Sequence, residues 1–331
     1  MSKFIIRRIA LAVVIVFFGS FIIYGVMRCM PTSFVEGLAR QRAAASATTG
    51  GPTYKEWLAQ LNHDYHMDSG VVKGFLSWFA GVLHGDFGTS WKYGIPVTQK
   101  FREVIWYSVV LNILTLILEI AICIPLGIQA ATHQYSSFDY GITVFAMLCI
   151  SLPTFFLATI LKYVFSVHLG WFDLYGIVGR YHQQLSTGGK FLDMAHHMVL
   201  PVLTLTMLNT GGLTRYTRTN MLEVLNADYI RTARAKGLDE RTVINRHAFR
   251  NTLIPLVSYM SYLIPSLFSG SMITETLFQI PGIGYISYDA MVAGDLPFTM
   301  FYSVFILILT QLSLMLADIM YAVVDPRVRI N

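Results

Sequence analysis

The stretch VIWYSVVLNILTLILEIAICIPLGIQAA, residues 104–131, contains a single charged side chain, that of Glu119. A helix rises about 1.5 Å per residue, so roughly 20 apolar residues cross a hydrocarbon layer of about 30 Å. The stretch is long enough and therefore predicts a transmembrane helix. A chain that is 54% hydrophobic and 13% charged, with a positive mean hydropathy, is typical of a membrane protein rather than a soluble enzyme.

Other stretches of the same apolar character bring the predicted number of transmembrane helices to six. They are residues 9–27, 140–167, 198–213, 253–274 and 301–324. Lys and Arg precede the first stretch, recur through residues 214–252 and follow the last stretch. Because positive charge favours the cytoplasmic side, both termini are predicted to be cytoplasmic. The sequence thus predicts an all-α integral membrane protein with six transmembrane helices.

The predicted spans divide the chain into two parts. Residues 1–103 hold an N-terminal anchor helix and an extracytoplasmic segment, and residues 104–331 hold a five-helix core. The first apolar stretch is too long for a secretory signal, so an anchor is the favoured interpretation. The low-complexity stretch ARQRAAASATTGGP, residues 39–52, predicts flexibility. Aromatic residues at helical spacing within residues 53–91 predict helices at the membrane surface.

The basic segment 214–252 carries eight Lys or Arg and four acidic residues. At 100° per residue, one face of a helix collects Leu222, Leu225, Tyr229 and Ala233, while Arg231 points away from it. The segment therefore predicts an amphipathic helix with a cationic face.

The end of this amphipathic helix is also marked in the sequence. Gly237 suits a left-handed C-terminal cap, and Asp239 suits the N-cap of a second helix that runs towards Arg250. Such cations alone would hold the segment in the cytoplasm or bind acidic lipids. A compact helix with an apolar stripe, a polar face and a defined stop favours docking to a partner protein.

Several motifs resemble the inner-membrane permease subunits of ATP-binding cassette importers, in particular the B-type subunit of the oligopeptide/dipeptide family. The motifs are FIIRRIA (4–10), MRCMP (27–31), GDFGTSW (85–91), MLEVLNADYIRTARAKGL (221–238), RHAFRNTLIP (246–255), GSMITETLFQIPGIG (270–284) and YAVVDPRVR (321–329). The resemblance implies the fold of such a permease, an anchor helix followed by a five-helix core. It also implies transport of oligopeptides or dipeptides.

The resemblance assigns the basic segment a role as the family's EAA loop, whose short coupling helix binds the cytoplasmic ATPase. Aligned on Gly237, the EAA positions fall on Arg231, Thr232 and Ala233. Arg231 and Arg234 are expected to make polar contacts, and Tyr229 and Ala233 are expected to pack. The coupling residues predicted in this way are Asp228, Tyr229, Arg231, Thr232, Ala233, Arg234 and Gly237.

The implied partners are a homologous second permease, two ATP-binding subunits, an extracytoplasmic substrate-binding protein, the peptide and membrane lipid, with no nucleic acid. The chain has no Walker A motif, no H-E-x-x-H and no G-x-S-x-G, so it is predicted not to be an enzyme itself. ATP and Mg are expected on the partner subunits, and no cofactor or metal on this chain. The alternatives are a permease for nickel, a secondary transporter and a membrane scaffold.

Two polar residues within the spans are candidates for the translocation pathway, Glu119 and Asn209. An ionisable group inside a membrane span either pairs internally or meets the substrate. His63 and His66 lie three residues apart and are a weaker pattern for a metal, because a metal site needs more ligands than two. His196 and His197, beside the fourth span, are predicted to be interfacial.

Overall fold

The computed structural model describes residues 2–29, 34–46, 51–64 and 67–324. Apart from one isolated β-bridge between Thr89 and Pro96, the elements in these residues are helical, which confirms the all-α class. The α-helices are α1 Ser2–Cys29, α2 Phe34–Ser46, α3 Tyr54–Asp64, α4 Val71–Leu83, α5 Val97–Thr132, α6 Ser137–Ser151, α7 Thr154–Leu161, α8 Thr187–Leu225, α9 Asp228–Ala235, α10 Glu240–Thr242, α11 Phe249–Tyr262, α12 Ile264–Ser269, α13 Met272–Phe278, α14 Ile283–Val292 and α15 Leu296–Val324. The segments Lys162–His168 and Val243–Ala248 are π-helical, and His182–Gln184 is a 3-10 turn.

The chain forms two compact units. Residues 1–105 and 286–311 make the first, and residues 106–285 and 312–331 make the second. The boundaries fall within α5, α14 and α15, so these helices contribute to both units.

Four helices in the described residues are long and apolar enough to cross a membrane, namely α1, α5, α8 and α15. They coincide with the predicted spans 9–27, 104–131, 198–213 and 301–324. A fifth candidate is the pair Ser137–Ser151 and Thr154–His168, whose axes differ by 105°. The prediction of one continuous span at 140–167 is therefore wrong.

The break in this pair lies at Leu152 and Pro153. Leu152 has φ −80° and ψ 127°, and Pro153 has φ −62° and ψ 140°, so both are extended. A proline disfavours the helical conformation of the residue before it and cannot donate a backbone hydrogen bond. The helix therefore ends before Pro153 and begins again in a new direction.

The predicted span 253–274 is also interrupted, because it falls on α11, α12 and α13. Pro265 lies in the first turn of α12, and Gly270 ends that helix with φ 73° and ψ 162°. A positive φ is accessible to glycine without steric cost, so Gly270 permits a turn that a larger residue would resist. No single helix here crosses the whole predicted length.

In the first unit, the apolar face of α4 packs on α1. The ring of Phe75 lies 5.1 Å from that of Phe21 and 5.8 Å from that of Tyr24, between ring centroids. The predicted helices within residues 53–91 are thus present as α3 and α4. Residues 39–46, predicted to be flexible, belong instead to α2, where Ala39 is buried in a cluster with Leu61 of α3. Residues 47–50 and His66 lie outside the described residues.

In the second unit, glycines allow α8 to approach its neighbours closely. A Cβ atom at Gly211 would meet the carbonyl oxygen of Ala146 and lie 2.5 Å from Cγ1 of Ile150, both in α6. A Cβ atom at Gly127 of α5 would lie 2.6 Å from Cβ of Thr217. Small residues at such crossings let helix backbones pack tightly in a membrane protein. The packing fixes α8 between α5 and α6.

Candidate functional site

The predicted amphipathic helix is present but shorter than expected. α8 runs to Leu225 and so includes the first part of the segment 214–252, while α9 begins afresh at Asp228. Ala227 between them is extended, with φ −72° and ψ 147°. Leu222 and Tyr229 therefore lie on two different helices. The faces of a single helical wheel drawn through both residues are not the faces of α9.

The buried face of α9 is formed by Ile230 and Ala233. Both belong to a core cluster with Ala131 at the end of α5, Met221 of α8 and Val243. Since α9 has only eight residues, its position depends on this packing more than on helix propensity. The cluster attaches α9 to three other parts of the second unit.

The opposite face of α9 is exposed and mainly polar. Tyr229 is 49% exposed, so it does not pack in the core as the wheel suggested, and Ile230 takes that place. Arg231 is exposed, and its Nη1 atom lies 3.7 Å from Oδ1 of Asp228. The Thr232 hydroxyl donates a hydrogen bond to the backbone carbonyl oxygen of Asp228 at 3.0 Å. The face presents an aromatic ring beside a cation, which suits binding to another protein.

The turn after α9 follows the sequence prediction. Gly237 has φ 79°, and the Asp239 carboxylate accepts a hydrogen bond from the Thr242 backbone N–H at 3.0 Å, as an N-cap does. Arg234 donates to both carboxylate oxygens of Glu240 at 2.6 and 3.1 Å. These hydrogen bonds lower the pKa of Glu240, which therefore stays ionised at neutral pH and neutralises one arginine of α9.

A buried ion pair joins α8 to the first turn of α6. Arg218 donates to the two carboxylate oxygens of Asp139 at 2.6 and 2.7 Å, and Asp139 also accepts from the Tyr135 backbone N–H. Asp139 is buried. This pair could not be predicted from the sequence, because Arg218 is one of eight cations in the basic segment.

Glu119 and Asn209, predicted for the pathway, are brought together by the fold. The Asn209 amide donates to Glu119 Oε2 at 3.3 Å, and the Glu119 residue is 4% exposed. Both residues line two cavities of about 180 and 450 Å³ in the second unit. The pair lies within the membrane-spanning part of α5 and α8, where a polar group usually faces a partner or a water-filled space.

A second buried carboxylate, that of Glu275, has a different environment. Its Oε1 accepts from the Ser108 hydroxyl at 2.7 Å and from the Ser271 N–H at 2.9 Å, and its Oε2 accepts from the Tyr285 N–H at 2.9 Å. A Cβ atom at Gly284 would lie 3.0 Å from this carboxylate. The glycines of the motif at 270–284 thus give backbone N–H groups access to Glu275, an interaction that has no local signal in the sequence.

The helical fold and its apolar spans define a multi-pass membrane protein. Residues 123–330 match the family described as the binding-protein-dependent transport system inner membrane component. The chain belongs to this family and is a multi-pass protein of the cytoplasmic (inner) membrane.

Relatives of known name extend this finding over the whole chain. The oligopeptide transport system permease protein AppB of Bacillus subtilis is 38% identical, with 81% of this chain and 84% of the relative covered. The dipeptide transport system permease protein DppB of Escherichia coli K12 is 32% identical, with 99% of both covered. A putative peptide transport system permease protein of Brucella abortus is also 32% identical over 99% of both chains. The resemblance to peptide permeases is confirmed.

Proposed function

We propose that this chain is the permease subunit of an ATP-driven peptide importer and that it forms half of the translocation pathway for oligopeptides or dipeptides. The observation that carries the proposal is the similarity over nearly the full length to permeases whose names specify peptide transport. The chain works with a homologous second permease, two cytoplasmic ATP-binding subunits that hold ATP and Mg, and an extracytoplasmic substrate-binding protein. The chain itself is not the enzyme.

The proposal includes an arrangement in the membrane. The chain crosses it six times, with both termini cytoplasmic, so that residues 1–103 form the anchor and outer segment and residues 104–331 form the core. The interrupted regions 140–167 and 253–274 each serve as one broken crossing. Irregular backbone at membrane depth is tolerated where protein or a water-filled cavity surrounds it.

Energy is transmitted through α9 in this proposal. Its face with Asp228, Tyr229, Arg231, Thr232 and Arg234 binds a groove of the ATPase, while Ile230 and Ala233 attach it to α5 and α8. Gly237 fixes the turn to the next helix. ATP favours the closed arrangement of the ATPases by binding that state more tightly. Since α9 is packed against α5 and α8, movement of the ATPases on closure is passed to these membrane helices.

The proposed function is tested by peptide uptake in cells that lack the chain. Radiolabelled dipeptides and pentapeptides should enter only when the chain and its ATPases are both present, and a Walker A variant of the ATPase should abolish uptake. Uptake that persists without the ATPases would favour an ion-driven transporter, and uptake unaffected by loss of the chain would refute the proposal.

We further propose that Glu119 and Asn209 meet the peptide in the pathway. Replacing Glu119 by glutamine is then expected to lower uptake about tenfold, the loss typical of one hydrogen bond to a charged group. A carboxylate in the pathway would pair with the N-terminal ammonium of the peptide. Because N-acetylated peptides lack this charge, Glu119→Gln and the unaltered chain should take them up at the same rate. Initial uptake rates, divided by the amount of folded chain, measure the effect.

The matched control is Glu275→Gln, which changes a buried carboxylate that already has three hydrogen-bond donors. That variant should lower the amount of folded chain but leave uptake per folded molecule unchanged. If Glu119→Gln behaves in the same way, Glu119 has a structural role and not a transport role.

A further inference from the structure

Three potential metal ligands converge just before the membrane-spanning part of α8. Asp173 belongs to the segment that precedes α8, and His196 and His197 lie in the first half of that helix. Asp173 Oδ2 lies 3.2 Å from His197 Nε2 and 3.9 Å from His196 Nδ1. All three ligand atoms lie within 4.8 Å of one another.

The other nitrogen of each imidazole faces a backbone carbonyl. His196 Nε2 lies 3.0 Å from the carbonyl oxygen of Trp171, and His197 Nδ1 lies 2.8 Å from that of Asp193. A carbonyl oxygen only accepts hydrogen bonds, so these two nitrogens carry the protons of the neutral rings. The nitrogens that face Asp173 are then both unprotonated.

With both rings neutral, the three atoms that face one another are all hydrogen-bond acceptors. Such an arrangement is repulsive unless a cation occupies the centre, either a metal ion or an additional proton on a histidine. Two imidazoles and one carboxylate are the donor set of many three-ligand zinc sites, which leave a fourth position to water. With metal–ligand bonds of about 2.0–2.2 Å, tetrahedral ligands lie roughly 3.2–3.6 Å apart. The 3.2 Å separation already fits this range, and the 3.9 Å separation and the third, which is at most 4.8 Å, would shorten when the metal binds.

The surrounding structure holds the ligands in place as a metal site requires. The Asp193 carboxylate accepts from the Gly179 N–H at 3.0 Å and lies 2.6 Å from His182 Nδ1, which joins the preceding segment to α8. The Phe172 ring lies 4.8 Å from the His196 ring, between centroids. Hydrogen bonds from the second ring nitrogen of a ligating histidine are the usual way in which proteins fix its orientation.

Exposure around the cluster leaves one side open. The side chain of His197 is 2% exposed, whereas those of His196 and Asp173 are 45% and 58% exposed. A metal bound here would be anchored by a buried histidine and reached from solvent past the other two ligands.

We propose that Asp173 Oδ2, His196 Nδ1 and His197 Nε2 form a binding site for a borderline divalent transition-metal ion of the Zn²⁺ class, with water as the fourth ligand. The ion is a resident structural cation that joins the segment before α8 to α8, and it is not the transported substrate. The proposal contradicts the expectation that this chain binds no metal, and it stands whether or not the transported substrate is a peptide.

Zinc binding to the full chain in lipid nanodiscs, with any affinity tag removed, tests the proposal. After treatment with a chelator, the chain should take up about one tightly bound Zn²⁺, measured by competition with a chromophoric chelator, and its Tm should rise. Asp173→Asn and His196→Gln should each weaken binding at least about 100-fold, since each removes one of three protein ligands. Co²⁺ in the same site should give the intense visible absorption of a tetrahedral ion.

His84→Gln is the matched control, because His84 is also exposed and its Nδ1 also faces a backbone carbonyl, that of Ala80. It should bind zinc as the unaltered chain does. The proposal is overturned if zinc does not bind, if all variants bind equally, or if the Tm rises only on acidification, which would assign the central cation to a proton.

Discussion

The double substitution Tyr229→Ala and Arg231→Glu is expected to lower ATP-dependent uptake at least about 100-fold, because each removes one anchor from the exposed face of α9 and interface anchors contribute about 2 kcal/mol or more apiece. Neither side chain is buried within the chain, so the amount of chain in the membrane should not change. Co-purification with the ATPases, and uptake, measure the effect.

The control for this prediction is Arg250→Glu, which makes the same charge change at another exposed residue of the segment 214–252. It should retain both ATPase association and uptake. A second comparison is Ile230→Asn, which alters the buried face and should reduce the amount of chain instead. Undiminished ATPase association in the double variant would mean that α9 is not the docking surface and that the basic segment only sets topology.

Arg218→Met is expected to destabilise the second unit by about 3–5 kcal/mol, because it leaves the buried carboxylate of Asp139 without its opposite charge. A loss of that size is a large part of the stability of most proteins and should strongly lower the yield of folded chain. Thermal unfolding in detergent and the yield of folded chain measure it. Adding Asp139→Asn to Arg218→Met should restore much of the loss, since no unpaired charge then remains.

Arg234→Met provides the matched control, because Arg234 and Glu240 form a pair of the same bidentate geometry at an exposed position. An exposed pair contributes about 0–1 kcal/mol, so this variant should have nearly the stability of the unaltered chain. If the two substitutions lower the free energy of unfolding equally, burial of Asp139 does not decide how much an ion pair contributes to stability in this chain.

Features with local signals could be predicted from the sequence. The apolar runs located α1, α5, α8 and α15, since length and hydropathy suffice for a helix that crosses a membrane. Gly237 and Asp239 marked a left-handed turn and an N-cap because both depend on the conformation of only a few residues. Motifs quoted over most of the chain were enough to identify the family.

The candidate site was less predictable where tertiary packing decides the conformation. The interruption between α8 and α9 lies at Asn226 and Ala227, and neither proline nor glycine marks it in the sequence. A helical wheel continued through this point places Tyr229 on the buried face, where the structure has Ile230. The partners Arg218 and Asp139 are 79 residues apart, and Ser108 and Glu275 are 167 apart. Periodicity carries no information about such pairs.

The π-helical segment Val243–Ala248, which follows the turn after α9, sets the angular phase of α11. A π segment accommodates one residue more than an α-helix of the same length, and each residue turns a helix by about 100°. Loss of one residue here would return the segment to an α-helix of the same length and leave Thr252 and Leu256, both buried, in their places. Insertion of a further residue would rotate α11 by about 100° and carry both side chains out of their places. A one-residue deletion in this segment should therefore be tolerated far better than a one-residue insertion.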